Sequence, residues 1–326
     1  MSFSLQKFQR NLVQIAISLV LATLIALPAS AITTIAKQAL IIDAETGTIL
    51  FSKSPDEPMA PSSMTKIMTA MVVFDHVATG KIDLSQRLRV SKKSWAKGGS
   101  KMFLREGTYV EVEKLLKGLI VQSGNDASIA LAEGIAGTED EFVELMNQRA
   151  KDLGMNTTNF ENASGWPDDN HFTTARDLTT LSQALINLYP DFYHYFSIPS
   201  FKYSDIFQKN RNPLLKKKAF GADGIKTGFT SAGGYGITGS ALLNGRRTIM
   251  VLNGMPSKSA RISESEKMMD WAQRSFDNYS LFKAGQVVDY GHVWLGQRKR
   301  VPLVVSNELR ITMPVGARSN LKAKIM

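Results

Sequence analysis

Three short groupings in the 326-residue chain contain residues able to make or break an acyl bond. In "PSSMTKIMTA", residues 61–70, Ser63 stands three residues before Lys66. At a helix start, positions i and i+3 share a face, so the amine can reach the hydroxyl. A lysine buried beside other cations has a lowered pKa and can serve as base to a serine nucleophile. The free N–H groups and positive dipole end of that helix suit a developing oxyanion. The pair alone decides nothing. The same spacing recurs at Ser4/Lys7, Ser94/Lys97, Ser280/Lys283 and Ser319/Lys322, and a capping serine beside a solvated lysine reads identically. In "QSGNDA", Ser123 and Asn125 put a hydroxyl and a carboxamide at a tight turn, where they could relay a proton and hold an amide. In "GIKTGFT", Lys226-Thr227-Gly228 is the single KTG of the chain, and Gly228 would let a substrate backbone approach a strand edge. Each of these two is, in isolation, also an ordinary helix cap or strand segment.

The elements that must position these groups follow from the hydrophobic pattern. "QALIIDAETGTILFSK" reads as a β-hairpin with strands near 38–43 and 48–53. Pro61 precedes a helical pattern over 64–77. Val112, Leu115, Leu116, Leu119 and Ile120 fall on one helical face within 111–121. "TEDE" at 138–141 and "TARD" at 174–177 resemble capping boxes and predict helices over about 139–153 and 174–188. "GADGIKTGFT", "GGYGITGSALL" and "RRTIMVLNGM" read as strands. A further helix is predicted from Ser263, with Glu266 completing its capping box. Strands therefore come first and last with helices between. This predicts an α+β body over residues 32–278: an antiparallel sheet built from both ends and flanked by helices, with a helical insertion. Residues 279–326 show short strands and turns without helical period. They predict a small β-rich module, too short to bury a good core alone.

Composition narrows the chemistry. Lys7 and Arg10, the apolar run "LVQIAISLVLATLIAL" and "PASA" predict a secretory signal over residues 1–31, cleaved after Ala31. The chain has no cysteine, which removes disulfides, thiolate nucleophiles and thiolate metal sites. Its four histidines, His76, His171, His194 and His292, form no close ligand pair, so neither a metal nor a cofactor is expected. Net charge is +10, of which Lys7 and Arg10 contribute +2. An exported basic protein meets anionic lipid and acidic wall polymers, which predicts peripheral contact with the membrane surface and no nucleic-acid partner. Lys216–Lys218 and Arg298–Arg300 read as solvated charge.

Taken together, in the order Ser-x-x-Lys, Ser-x-Asn, Lys-Thr-Gly, the groupings form the motif set of penicillin-binding proteins and class A β-lactamases. With "LIIDAETGTILFSKSPDEPMAPSSMTKIMTA", "LIVQSGNDASIALAE", "GWPDDNHFTTARDL" and "GIKTGFTSAGGYGITGSA", the chain resembles the low-molecular-mass penicillin-binding proteins, the serine D-alanyl-D-alanine carboxypeptidases. The resemblance spans residues 34–280 and continues beyond. It implies the β-lactamase/transpeptidase-like fold, with Ser63 as acylated nucleophile and Lys66 as its base. Ser123 and Asn125 would aid proton transfer and hold the substrate amide. Lys226, Thr227, Gly228 and Phe229 would line the substrate strand, with an oxyanion hole from the N–H groups of Ser63 and Phe229. Arg261 would bind the terminal carboxylate, a role that suits a bidentate guanidinium. The implied partners are peptidoglycan stem peptides and, as covalent inhibitors, β-lactams, met in the periplasm or at the outer face of the membrane. Against the family's pattern, Phe229 departs from relatives with histidine or another polar residue there, the second module reads as shorter than the family's, and no amphipathic anchoring helix is expected within it. The rival readings are an endopeptidase, a β-lactamase and a non-catalytic wall-binding protein. For a β-lactamase, Glu161 is the nearest deacylating candidate, but it lacks the E-x-x-x-N pattern.

Overall fold

The computed structural model describes residues 32–217 and 220–317. The expected signal segment, Lys218 and the final "LKAKIM" lie outside the described residues. The fold is that of the unit that begins at Ile35.

Five strands make the main sheet, each antiparallel to its neighbours. Strands β1 (Gln38–Asp43) and β2 (Ile49–Lys53) form the expected hairpin. Chain-distant β1 then pairs with β9 (Arg246–Met255), and β9 with β8 (Gly234–Leu243). Strand β7 (Ala222–Thr230) closes the order β2-β1-β9-β8-β7 as an edge strand. Two-stranded ribbons β3 (Arg87–Arg89) with β4 (Tyr109–Glu111), and β5 (Ser200–Tyr203) with β6 (Ile206–Lys209), stand apart from it.

Between the two halves of the sheet the chain is helical. Helix α1 (Lys66–Ala78) buries Ile67 through Phe74 without interruption. A helix apolar all round belongs in the middle of a core, and α1 packs against β7 and against three helices. These are α4 (Asn125–Ala136), α5 (Glu139–Asp152) and α6 (Ala175–Leu188), which follow short α2 (Lys92–Ala96) and α3 (Val112–Lys117). The predicted caps operate at two of them: Thr138 accepts the N–H of Glu141 at 3.1 Å, and Thr174 that of Asp177 at 3.0 Å. Short α7 (Pro190–Tyr193) precedes the β5–β6 ribbon. No helix among the described residues is long and apolar enough to cross a membrane.

Two helices differ from expectation. The pattern over 111–121 is α-helical only to Lys117, after which Gly118–Gln122 widens into a π-turn. Gly118 lets Met102 pack against this turn: a Cβ there would fall 2.2 Å from Met102 Sδ. The last helix, α8, spans Lys258–Ser275 rather than starting at Ser263. Ser257 is the cap, accepting the Ala260 N–H at 3.0 Å, while Ser263 turns its hydroxyl back to the Ala260 carbonyl. Ser257 is followed three residues later by Ala260, so the capping-box pattern points to Ser263 and Glu266 instead.

After α8, β10 (Phe276–Phe282) pairs with β13 (Leu309–Pro314), and β11 (Val287–His292) with β12 (Arg300–Val304). The expected boundary at 278/279 falls inside β10. Polar contacts join these strands to the β1–β2 turn: Asn278 to Asp43 and Glu45, Arg310 to Glu45, and Thr312 to Thr46.

Candidate active site

A 3₁₀ turn, Ser62–Thr65, leads into α1 and carries Ser63. Ser62 holds the left-handed backbone region at φ +51°, an uncommon choice for a residue with a Cβ. Three neighbours hold that turn. Ser62 Oγ donates to Thr230 Oγ1 on β7 at 3.1 Å. Gly165 lies so close to the Ser62 carbonyl that no side chain would fit at 165. Thr65 Oγ1 pairs with His171 Nε2 at 2.9 Å. His171 Nδ1 accepts the N–H of Glu161, so Nε2 carries the proton. Burial pushes His171 down to about 4, which keeps it a neutral structural link.

Lys66 Nζ is fully buried and has three partners: Ser63 Oγ at 3.1 Å, Asn125 Oδ1 at 2.8 Å and the Ser164 carbonyl at 2.5 Å. Asn125 is held in its orientation because its Nδ2 donates to the Gly98 carbonyl at 2.9 Å. Two of the three partners are therefore obligate acceptors. A neutral amine has two N–H groups and one lone pair; it satisfies both acceptors and points the lone pair at the Ser63 hydroxyl. Burial is the main reason Lys66 is drawn down to about 7, with Arg211 and Lys97 adding to it and Asp126 opposing.

Ser123 sits where the π-turn ends, at φ +63°, and is 2% exposed. Its Oγ accepts from Lys226 Nζ at 2.9 Å, and the same ammonium donates to the Thr227 carbonyl at 3.1 Å. Lys226 is buried and lies well below its ordinary pKa, chiefly from desolvation and then from Lys66, Arg211 and Arg261. The segment opposite is shaped by Asp126. Its buried carboxylate takes the N–H groups of Met102, Phe103 and Leu104, and this presents Gly98 and Ser100 to Asn125.

Edge strand β7 carries Lys226, Thr227, Gly228 and Phe229. Gly228 lines the cleft and also serves packing. A Cβ at 228 would stand 2.9 Å from the Pro61 carbonyl and 3.1 Å from Ser62 Cβ, so the missing side chain lets β7 close against the Ser63 turn. The Phe229 ring is 51% exposed and stacks on Tyr235 with centroids 4.2 Å apart. Arg261, buried on α8, donates to the Gly228 carbonyl at 3.2 Å and lies over the Tyr235 ring. Its buried Nε has no partner among the described residues.

These groups surround a cleft of about 550 Å³. Ser63, Ser123, Thr227, Gly228, Phe229 and Arg261 line it, and Lys66, Asn125 and Lys226 stand directly behind. The nine residues that the resemblance assigned to the site thus gather in one place. The lining adds Lys209, Arg211, Lys216 and Lys258 to Arg261 and contains no described carboxylate. Glu161, the β-lactamase candidate, is exposed and bonded to Asn159 instead. The sequence reading missed the Ser164 and Gly98 carbonyls, which carry no side-chain signature. It also missed Asp126, although that residue abuts Ser123-Gly124-Asn125, and Arg211, whose Nη1 donates to Ser100 Oγ at 2.6 Å across the cleft.

Comparison with known proteins agrees with this geometry. The profile described as D-alanyl-D-alanine carboxypeptidase matches residues 26–257, and that described as penicillin-binding protein 5, C-terminal domain, matches 276–326. The chain is 38% identical to the D-alanyl-D-alanine carboxypeptidase DacC of Escherichia coli, over 87% of this chain and 72% of that protein. The crystal structure of penicillin-binding protein 5 from Haemophilus influenzae superposes with a TM-score of 0.84 at 35% identity, covering 91% of this chain and 87% of that one. Penicillin-binding protein 6B from Escherichia coli gives 0.81 at 34%, covering 92% and 91%. The α+β body has the penicillin-binding, transpeptidase-like fold, with a β-rich module after it. The chain belongs to the D-alanyl-D-alanine carboxypeptidase family.

Proposed function

We propose that the protein is a serine D,D-carboxypeptidase that removes the terminal D-alanine from peptidoglycan pentapeptide stems. The observation that carries the reading is Lys66 Nζ, buried between two fixed acceptors and 3.1 Å from Ser63 Oγ. Ser63 Oγ attacks the carbonyl of the penultimate D-alanine while Lys66 takes its proton. The N–H groups of Ser63 and Phe229 receive the oxyanion, at the start of α1 and on the open edge of β7. Ser123, its Oγ already accepting from Lys226, passes its proton to the leaving nitrogen and receives the Ser63 proton back from Lys66, which returns to the neutral amine. The C–N bond breaks and free D-alanine departs with its carboxylate. Water, deprotonated by Lys66, then attacks the Ser63 ester, releasing the tetrapeptide and restoring the hydroxyl. Penicillins acylate the same oxygen.

The substrate carboxylate belongs among Arg261, Arg211 and Lys258, where no described acid competes for them. Arg261→Ala should lower kcat/KM on a free-carboxylate stem by about 10–100-fold, the loss of one charge-assisted contact. Acylation by a C-terminally amidated analogue should hardly change, and equal losses on both would remove Arg261 from carboxylate binding.

Residues 1–31 fit an export signal, which would bring the chain to the periplasm, with the basic mature protein close to the outer face of the membrane. Product analysis tests the reaction itself. A pentapeptide muropeptide should yield tetrapeptide and D-alanine faster than a cross-linked dimer yields monomers; the reverse order would make the enzyme an endopeptidase.

A further inference from the structure

Lys66 depends on two backbone carbonyls that lie on different segments of the chain. Ser164 accepts from it directly, and Gly98 fixes the Asn125 carboxamide that is its other acceptor. One side chain touches both segments. Trp166 belongs to the loop that presents Ser164. There Asn162 Oδ1 accepts the N–H of Ser164 at 3.1 Å and that of Trp166 at 2.9 Å, and Asn162 Nδ2 donates to the Trp166 carbonyl at 3.0 Å. The Trp166 ring reaches out of that loop and lies against Gly98 and Gly99. A Cβ at 98 would stand 3.5 Å from Trp166 Cη2, and one at 99 would stand 3.1 Å from Cζ3 and 2.8 Å from Asn125 Nδ2. Ring, glycine backbone and Asn125 are therefore packed in succession.

Trp166 is 42% exposed, so its ring is not part of the core. Lys97 covers it, with Nζ 4.7 Å from the ring centroid and no ion pair to a described residue. The face of an indole attracts a cation. Lys97 directly precedes Gly98, so the ring fixes an ammonium on the segment that faces the base. The other charged groups around Lys66 come from every side. Asp126 on α4 favours its protonated form, and Lys97 and Arg211 disfavour it. Lys226 on β7 and Lys66 repel one another, and His171 stays neutral. Glu139 of α5, which accepts the Ala163 N–H, is paired with Lys93.

We propose that Trp166 is a positioning residue for the Lys66 base. Its ring ties the loop that presents the Ser164 carbonyl to the segment that presents the Gly98 carbonyl, and it holds the Lys97 ammonium on that segment. The inference rests on Lys66 acting as base in the carboxypeptidase reading.

Stopped-flow acylation by a fluorescent penicillin, followed from about pH 6 to about pH 9 across the range of the base, tests it. Trp166→Ala should lower the limiting acylation rate about tenfold at the alkaline end, a modest loss of positioning. The half-saturating penicillin concentration should hardly change. The inflection should move above the wild-type value of about 7, because a released Lys97 no longer opposes the charge on Lys66. Lys97→Met should raise the inflection too, yet acylate normally at the alkaline end. The double variant should move the inflection no further than the larger single shift, since both changes remove one interaction. Trp166→Phe, which keeps a ring under Lys97, should stay near the wild-type inflection. The proposal is overturned if folded Trp166→Ala follows the wild-type profile. It is also overturned if only the half-saturating concentration rises, which would make Trp166 a substrate contact. Should Trp166→Ala not fold, Lys97→Met decides: a raised inflection supports the proposal and an unmoved one overturns it. Absence of penicillin acylation in the wild-type protein would instead overturn the carboxypeptidase reading, and the positioning role with it.

Discussion

Lys66→Met is expected to slow acylation of Ser63 by a penicillin about 10³–10⁴-fold at pH 8, near the upper range for loss of a positioned base. Methionine is close to lysine in shape and removes a buried nitrogen rather than leaving one unpaired, so the protein should remain folded. The effect is chemical because Asn125 Oδ1 and the Ser164 carbonyl occupy both N–H groups of the neutral amine and leave its lone pair for Ser63. The pH profile carries the same information. Lys66 is drawn down to about 7, chiefly by burial. Its protonated form, dominant below that pH, has no lone pair to accept from Ser63, so wild-type acylation should fall as pH drops through about 7 and level off above it. In Lys66→Met the residual rate should be flat across that window. A fluorescent penicillin followed by stopped flow measures both; an unchanged inflection in the variant would assign it to another group.

Lys226→Met should lower acylation by penicillins and by peptides about 10²–10³-fold, the usual loss when one preorganised donor goes. Lys226, itself on β7, donates to Ser123 Oγ and to the Thr227 carbonyl. Without it the Ser123 hydroxyl is free to rotate away from the leaving nitrogen and the cleft loses a buried donor. Lys226→Arg should not restore the rate, because a planar guanidinium cannot occupy the position of a compact ammonium. Full recovery by arginine would mean that only net charge matters at 226. Rates come from single-turnover labelling of the variants.

Much of this site could be read from the chain, for a physical reason. Ser63, Lys66, Ser123, Asn125 and Lys226 carry their chemistry in side chains at fixed spacings, and their order along the chain separated Ser63/Lys66 from four pairs of identical spacing. The sheet was legible too, since β1, β7, β8 and β9 alternate or run apolar between turn residues. What stayed hidden is carried by backbone and by packing. The carbonyls of Ser164 and Gly98 hold Lys66 and Asn125, yet any residue has a carbonyl. The role of Gly228 depends on how closely β7 approaches Pro61 and Ser62, a tertiary distance that local pattern does not encode. The π-turn before Ser123 continues the apolar pattern of α3, so periodicity alone gave one uninterrupted helix. Arg211 lies in a basic segment with no motif to single it out, and the fold brings it across the cleft to Ser100.

The central claim is that Ser63 Oγ becomes the acyl ester, and the most direct measurement is peptide mapping by mass spectrometry after reaction with benzylpenicillin. The account predicts one adduct of the intact drug, on the peptide that contains Ser63, and none on Ser63→Ala protein that retains the wild-type fold by circular dichroism. An adduct on any other serine, or continued labelling of folded Ser63→Ala, would contradict it.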